Sequence, residues 1–260
     1  SELAQRVTGG DPVLAASMAV QSDGDVGAVA GAVPIYRIAN MAVDHHPVTL
    51  GVPSGYWRGG AHSYTAFFTE CFVDELAHVA GAEAISFRIG MLGGDARLAR
   101  CLSTIASVGG WQGGVAGSGQ GVACHSFRGS HIAVMAEAHL TAERKVQVDR
   151  LVAAVDCGRV VNPELVTQQI EGGLIFGMAA ALGASTGFTE NVADAREIAD
   201  LDLPTLASSP EITVEIIRSG SDTGGASELA VPAVAPAIAN ALQAATGVRF
   251  RRLPLLSDVE

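Results

Sequence analysis

One carboxylate stands out by what surrounds it. In the run Gly224-Gly225-Ala226-Ser227-Glu228-Leu229-Ala230-Val231-Pro232, Glu228 lies between a glycine-rich turn and a wall of small apolar side chains. A carboxylate so placed is only partly hydrated, which suits it to proton abstraction. Pro236 fits the first turn of a helix, residues 237–245 are nearly all good helix formers, and Gly247 is a stop signal, so a helix is predicted over about 234–246. Glu228 would then sit just ahead of a helix N-terminus. The plainer alternative is that it serves only as an acid in the cap region, interacting with the positive end of that helix.

Other residues could do chemistry with less support. Trp57-Arg58-Gly59-Gly60 joins a guanidinium to two glycines that let backbone approach a ligand, and Arg can fork onto phosphate or carbonyl oxygens. His62 follows closely and could stand behind such a site. His45 and His46 are adjacent, but neighbours in a strand point to opposite faces and no third ligand lies nearby. Glu70, Asp74 and His78 recur at four-residue spacing, the pattern of a solvated or subunit-facing polar stripe. The glycines of 113–121 lack dinucleotide-loop spacing and lead into a strand, and Ser118 has no partner base, so this stretch reads as a flexible connector.

The elements that must position these residues follow from periodicity. Residues 35–38 and 41–43 read as short strands after a weakly patterned lead-in, 1–33, in which Gly24, Gly27 and Gly31 are spaced through small residues. Residues 64–80 read as a helix in which Phe68, Phe72, Leu76 and Val79 share one face, and 96–108 as a second helix. Strands are predicted at 121–123, 131–138 and 145–155, an antiparallel meander with a turn at 128–130. Asn162-Pro163 is a strong helix start, predicting a helix over 164–182. Gly172, Gly173 and Gly177 fall inside it; each costs about 1 kcal/mol against Ala, so something must pack close to its backbone. Residues 183–209 read as irregular, a lip over a funnel, and 211–218 as a strand.

A resemblance runs through these motifs. Gly224-Gly225-x-x-Glu228-x-x-x-Pro232-x-x-Ala235-Pro236-Ala237-Ile238-Ala239-Asn240-Ala241, closing with Ala245-Thr246-Gly247 and Leu253-Pro254, is similar to the C-terminal signature of the molybdenum hydroxylases. That is the xanthine oxidase and aldehyde oxidase superfamily, and the likeness is to large subunits of the isoquinoline 1-oxidoreductase type. Asn162-Pro163 followed by Gln169-x-Glu171-Gly172-Gly173-x-x-x-Gly177 resembles a second family element, and Glu70-x-Phe72-x-Asp74-Glu75-Leu76-Ala77 and Gly110-Trp111 two more. Ser227 and Leu229 depart from the family, which more often has Gly before the Glu and Pro after it.

The resemblance implies an α+β fold of antiparallel and mixed sheets with packed helices, part of a molybdopterin-binding large subunit. It implies Glu228 as the catalytic base, and Trp57, Arg58, Gly59, Gln169, Gly224 and Gly225 as cofactor-binding residues. No protein ligand to the metal is implied, since the pterin dithiolene holds molybdenum. Residues 34–120 and 121–260 would be two parts of the molybdopterin-binding region. The implied reaction oxidises an aldehyde to an acid or hydroxylates an N-heteroaromatic ring with oxygen from water; the alternative is a non-catalytic assembly subunit. The cofactor would be molybdenum-molybdopterin, in its cytosine dinucleotide form, shared with a partner chain. The Gly-Gly-Gly-Phe-Gly element of the family is missing from the sequence, so the expected partners are the remaining large-subunit chain and an iron–sulfur subunit with 2Fe-2S clusters. A flavin or cytochrome c would accept the electrons.

Bulk composition is consistent with a chain that works beside others. The 260 residues are 48% hydrophobic and only 17% charged, a low figure from which much surface is expected to be covered by another chain. A net charge of -11 with no basic tract argues against nucleic acid and anionic membrane. No uninterrupted apolar run nears the roughly 20 residues of a membrane span. The start has no signal-peptide pattern, and a Ser first residue fits loss of an initiator Met. The expectation is a cytoplasmic, separately made polypeptide, or a periplasmic one exported with a partner that carries the signal. Cys71, Cys101, Cys124 and Cys157 are widely spaced, which predicts buried free thiols.

Overall fold

The computed structural model describes residues 26–46, 48 and 57–255; the lead-in through residue 25 and residues 51–56 of the loop before Trp57 lie outside them. Three helices come first: α1 (His62–Val79), α2 (Ala84–Met91) and α3 (Ala96–Gly109). Strands β1 (Gln120–Phe127), β2 (Ser130–Leu140) and β3 (Val146–Asp156) follow, then α4 (Pro163–Leu182). A two-stranded ribbon of β4 (Phe188–Thr189) and β5 (Val192–Ala193) interrupts an irregular stretch before β6 (Glu211–Ile216) and the last helix, α5 (Val231–Thr246).

Local chemistry explains most boundaries. Glu83 accepts from the amides of Ile85 and Ser86 at the head of α2, and Asp95 does the same for Arg97 and Leu98 at the head of α3. Asn162 accepts from Leu165 N with Pro163 beside it, which starts α4 where the sequence predicts. Gly110 and Gly247 close α3 and α5 in the left-handed region. Helix α2 is not evident in the sequence because its eight residues are too few to show a period.

The main sheet runs β1-β2-β3-β6. β1, β2 and β3 form the predicted antiparallel meander, and β6 pairs with β3 in parallel, so that the sheet is mixed. A parallel neighbour needs a crossover, and the chain between β3 and β6 carries α4. Side chains alternate across the sheet: Ala123, Ile132, Val134, Leu151 and Ala153 enter one core, Val122, Cys124, Met135, Val152 and Ala154 the other. The first core is closed by α4 and α5, the second by α2 and α3. Helix α5 is buried almost throughout, and Gly121 on β1 lies so near its backbone that a Cβ would collide with Ala237 and Ala241. All four cysteines are free, and all but Cys71 are buried.

Three expectations change. Residues 35–38 and 41–43 are not strands: Arg37 N donates to the carbonyl of Met91 at 2.8 Å and Tyr36 is buried, so this segment lies against α2. The face of α1 carrying Phe68, Phe72 and Val79 is exposed, whereas Thr65, Phe67, Glu70, Val73 and Ala77 point inward. Helix α4, 20 residues long, is apolar enough by length and hydropathy to cross a membrane; here Ile170, Leu174, Met178 and Ala181 pack into the core.

Candidate active site

Glu228 sits one residue before the fully buried Leu229, and its carbonyl accepts from Val231 N at 3.3 Å, a turn that leads into α5. Leu229 and Ala230 anchor the chain from below, so the carboxylate is fixed at the edge of the core with 17% of its side chain exposed. The placement ahead of a helix N-terminus is the predicted one.

Two distant segments close around this turn. Arg58 donates from Nε to the carbonyl of Ser227 at 2.8 Å, from Nη2 to the same oxygen, and from Nη2 to the carbonyl of Gln169 at 3.3 Å. Its guanidinium lies 5.7 Å from the ring of Phe176, against which Trp57 also packs at 5.1 Å between centroids. Gly59 has φ of +91°, and a Cβ there would press on Ser63 and on Val231 at the start of α5. One guanidinium thus joins the 57–59 turn, helix α4 and the Glu228 turn.

The glycines of α4 are explained in part. A Cβ on Gly173 would come within 2.9 Å of the Ala230 methyl, and one on Gly177 within 2.9 Å of Val231 O and of Val234 Cβ. Helix α4 therefore packs backbone-close against the head of α5. Gly172 faces open space, so close packing does not account for it.

Gly224 and Gly225 tie the loop to the sheet. Gly224 N donates to Cys157 O at 2.9 Å and Gly225 N to Arg128 O at 3.0 Å. A Cβ on Gly224 would strike Ser130, so this loop lies flat on the β1–β2 turn.

That turn brings in residues that nothing in the sequence connects to Glu228. Arg128 Nη2 lies 3.9 Å from Glu228 Oε2, and its guanidinium covers the Phe127 ring at 5.2 Å. Beneath them His62 Nδ1 and His125 Nε2 are 2.8 Å apart, with the His62 ring edge-on to Phe127 at 4.3 Å. Burial pulls the His62 imidazole below its ordinary range, opposed by the charge of Glu228 and assisted by that of Arg128. His125, buried more deeply and next to His62, is pulled down to about 3. The pair is neutral near pH 7, one ring donating to the other.

A buried charged cluster ties α1 and α2 to β1. Glu70 accepts from Tyr36 OH at 2.6 Å, from Arg88 Nε at 3.0 Å and from Cys124 N at 2.9 Å, all buried. Asp74 pairs with Arg88 at 3.4 Å and with Arg249 at 2.8 Å. Asn240 on α5 donates to Val122 O at 3.1 Å. The outer edge of β1 is thereby capped by side chains of α1 and α5. This corrects the reading of Glu70 and Asp74 as a solvated stripe: Arg88, from another helix, neutralises them inside the protein, and only His78 of the three is exposed. A single Arg in the otherwise apolar α2 is the sequence signal for this.

The Trp57 indole is half exposed and packs on Phe176, and Gln169 is exposed with its backbone carbonyl held by Arg58; an aromatic face and an amide that can donate and accept are groups that suit a flat heteroaromatic ring. Arg58 and the Gly224 and Gly225 amides are engaged within the protein. By their chemistry, Trp57 and Gln169 are the two of these residues left to face a pterin. Among the described residues no group of three or more His, Cys, Asp or Glu converges.

Residues 111–210 match a family model described as molybdopterin cofactor-binding domain. Over 236 residues the chain is 28% identical to the beta chain of the isoquinoline 1-oxidoreductase of Brevundimonas diminuta, covering 89% of this chain and 30% of that protein. It is 31% identical over 246 residues to one of the subunits of the nicotinate dehydrogenase of Pseudomonas putida, covering 87% of this chain and 21% of that one. The aldehyde oxidoreductase of Desulfovibrio gigas superposes with a TM-score of 0.63 over 76% of this chain and 40% of its own, at 14% identity, a likeness of fold. The chain spans less than a third of the length of the two relatives matched by sequence.

Proposed function

We propose, from the premise that this chain belongs with the molybdenum hydroxylase large subunits and corresponds to a segment of one, that it supplies the catalytic base and one wall of the cofactor pocket of such an enzyme. The observation that carries the reading is that one guanidinium, Arg58, joins the Trp57 turn to the backbone of Gln169 and to the Ser227 carbonyl just before Glu228. When bound, molybdenum-molybdopterin supplies the oxygen-transfer and two-electron chemistry.

The protein's own residues do the rest. Glu228, mostly shielded and held by its turn, takes the proton from the water-derived oxygen that attacks an electrophilic carbon. Arg58 keeps that carboxylate in place through the Ser227 carbonyl. Trp57 and Gln169 would lie against the pterin, and the neutral His62–His125 pair fills the space below without adding charge. Relatives named for isoquinoline and nicotinate support ring hydroxylation as the reaction, and relatives named for aldehydes support aldehyde oxidation.

In this proposal the cofactor is the cytosine dinucleotide form, electrons leave through 2Fe-2S clusters of a partner protein to a flavin or cytochrome c, and further large-subunit polypeptide completes the pocket. A non-catalytic assembly role is the second reading, favoured by Ser227 and Leu229 on either side of the carboxylate and by the engagement of the Gly224 and Gly225 amides. Turnover of the co-purified complex in oxygen-labelled water separates them. Label in the product is expected; unlabelled product, or none from an intact metal-loaded complex, contradicts the catalytic reading.

A further inference from the structure

Arg128 has no task in the proposed reaction. It occupies the β1–β2 turn at φ of 48°, a left-handed conformation that costs a side-chain-bearing residue about 1 kcal/mol. The turn is tied to the catalytic loop, since Arg128 O accepts from Gly225 N at 3.0 Å. The guanidinium is braced by the Phe127 ring at 5.2 Å, and its Nη2 lies 3.9 Å from Glu228 Oε2, the outer limit of an ion pair. The side chain is 64% exposed. Arg58, the other guanidinium beside Glu228, is occupied by carbonyls.

We infer that Arg128 is a substrate-recognition residue that receives a carboxylate on the substrate and so sets the reacting carbon against Glu228. A guanidinium presents five N–H donors in a planar fork, and one corner directed at Glu228 leaves an exposed edge for a forked contact with a second carboxylate. Bracing by Phe127 fixes the plane of that fork, so the contact fixes direction as well as charge. In a chain of net charge -11, an anionic substrate needs a local cation at the rim to approach a carboxylate base at all. The substrate acid and Glu228 would lie on different edges of one guanidinium, which screens them from each other.

The inference rests on Glu228 being the base, but its test is a binding measurement that does not. Benzoate and benzamide, equal in shape and different in charge, are titrated into the purified chain and into its complex by calorimetry. The wild type is expected to favour benzoate by about tenfold. Arg128→Gln should remove that preference and leave benzamide binding unchanged, Arg128→Lys should keep part of it, and Glu228→Gln should strengthen benzoate binding by removing the competing carboxylate. Absence of a benzoate preference in the wild type, or equal loss of both probes in Arg128→Gln, overturns the assignment. Arg128 is exposed and the Lys variant retains its charge, so a folding defect in one variant leaves the other decisive.

Discussion

Arg58 grips the carbonyl oxygen of Ser227, the residue before Glu228, from two of its nitrogens, one of them at 2.8 Å. The backbone of the proposed base is thus held by a side chain from the opposite end of the described chain. A third contact, to Gln169 O, ties the same guanidinium to helix α4.

That arrangement needs a fork. Arg58→Lys keeps the charge and loses the simultaneous contacts, so the Glu228 turn should loosen. The complex is expected to lose about tenfold in kcat with KM little changed, because a small displacement of a base costs rate more than binding. Steady-state kinetics with matched metal content check this; an unchanged kcat would show that the grip has no functional consequence.

The glycines of α4 predict opposite outcomes for neighbours. Gly173→Ala places a methyl 2.9 Å from that of Ala230, and overpacking of this kind costs about 1–3 kcal/mol. Gly172→Ala meets nothing within 4 Å and should stabilise by about 0.5–1 kcal/mol through helix propensity. Urea denaturation of the two variants side by side reads both signs.

Arg88 is fully buried among Glu70, Asp74 and Tyr36. Arg88→Met would strand the Glu70 carboxylate inside the protein and is expected to cost about 3–5 kcal/mol. Arg88→Met with Glu70→Gln should recover part of that loss. If the double variant is no better than the single one, the loss comes from packing and not from an uncompensated charge.

The buried histidines predict an acid limit. His125 is held neutral with its pKa at about 3, whereas an unfolded His titrates near 6.5. Its contribution to stability is therefore fully present above about pH 6.5 and is lost as pH falls toward 3, by about 1.4 kcal/mol per pH unit for one proton. His62 and His131 are displaced in the same direction. His125→Gln should flatten the fall of unfolding free energy between pH 7 and 5 relative to the wild type; parallel curves would contradict the assignment.

What the sequence could disclose was what short-range chemistry decides. Asn162-Pro163 starts α4, Gly247 ends α5, and the apolar alternation of β2 and β3 marks strands, because each signal is complete within a few residues. That Glu228 stands just ahead of a helix was legible for the same reason. Periodicity in α1 separates two stripes but not inside from outside: Glu70 faces inward because Arg88, Tyr36 and the Cys124 amide meet it there, and Phe68 and Phe72 are left on the surface. The Ile35-Tyr36-Arg37-Ile38 run suits a strand, yet a strand needs a ladder partner, and this segment meets a helix. Arg128 was invisible as a neighbour of Glu228 because they are 100 positions apart, and it is the fold, through contacts such as the Gly225–Arg128 hydrogen bond, that brings them together.

The most direct test is the isosteric change Glu228→Gln in the complex, with molybdenum content measured beside dye-reduction turnover. An amide keeps the shape of the side chain and cannot take the proton, so the metal should stay at wild-type occupancy while kcat falls by orders of magnitude. Wild-type turnover with full metal would show that the proton goes elsewhere, and the account of this chain as the carrier of the base would fail.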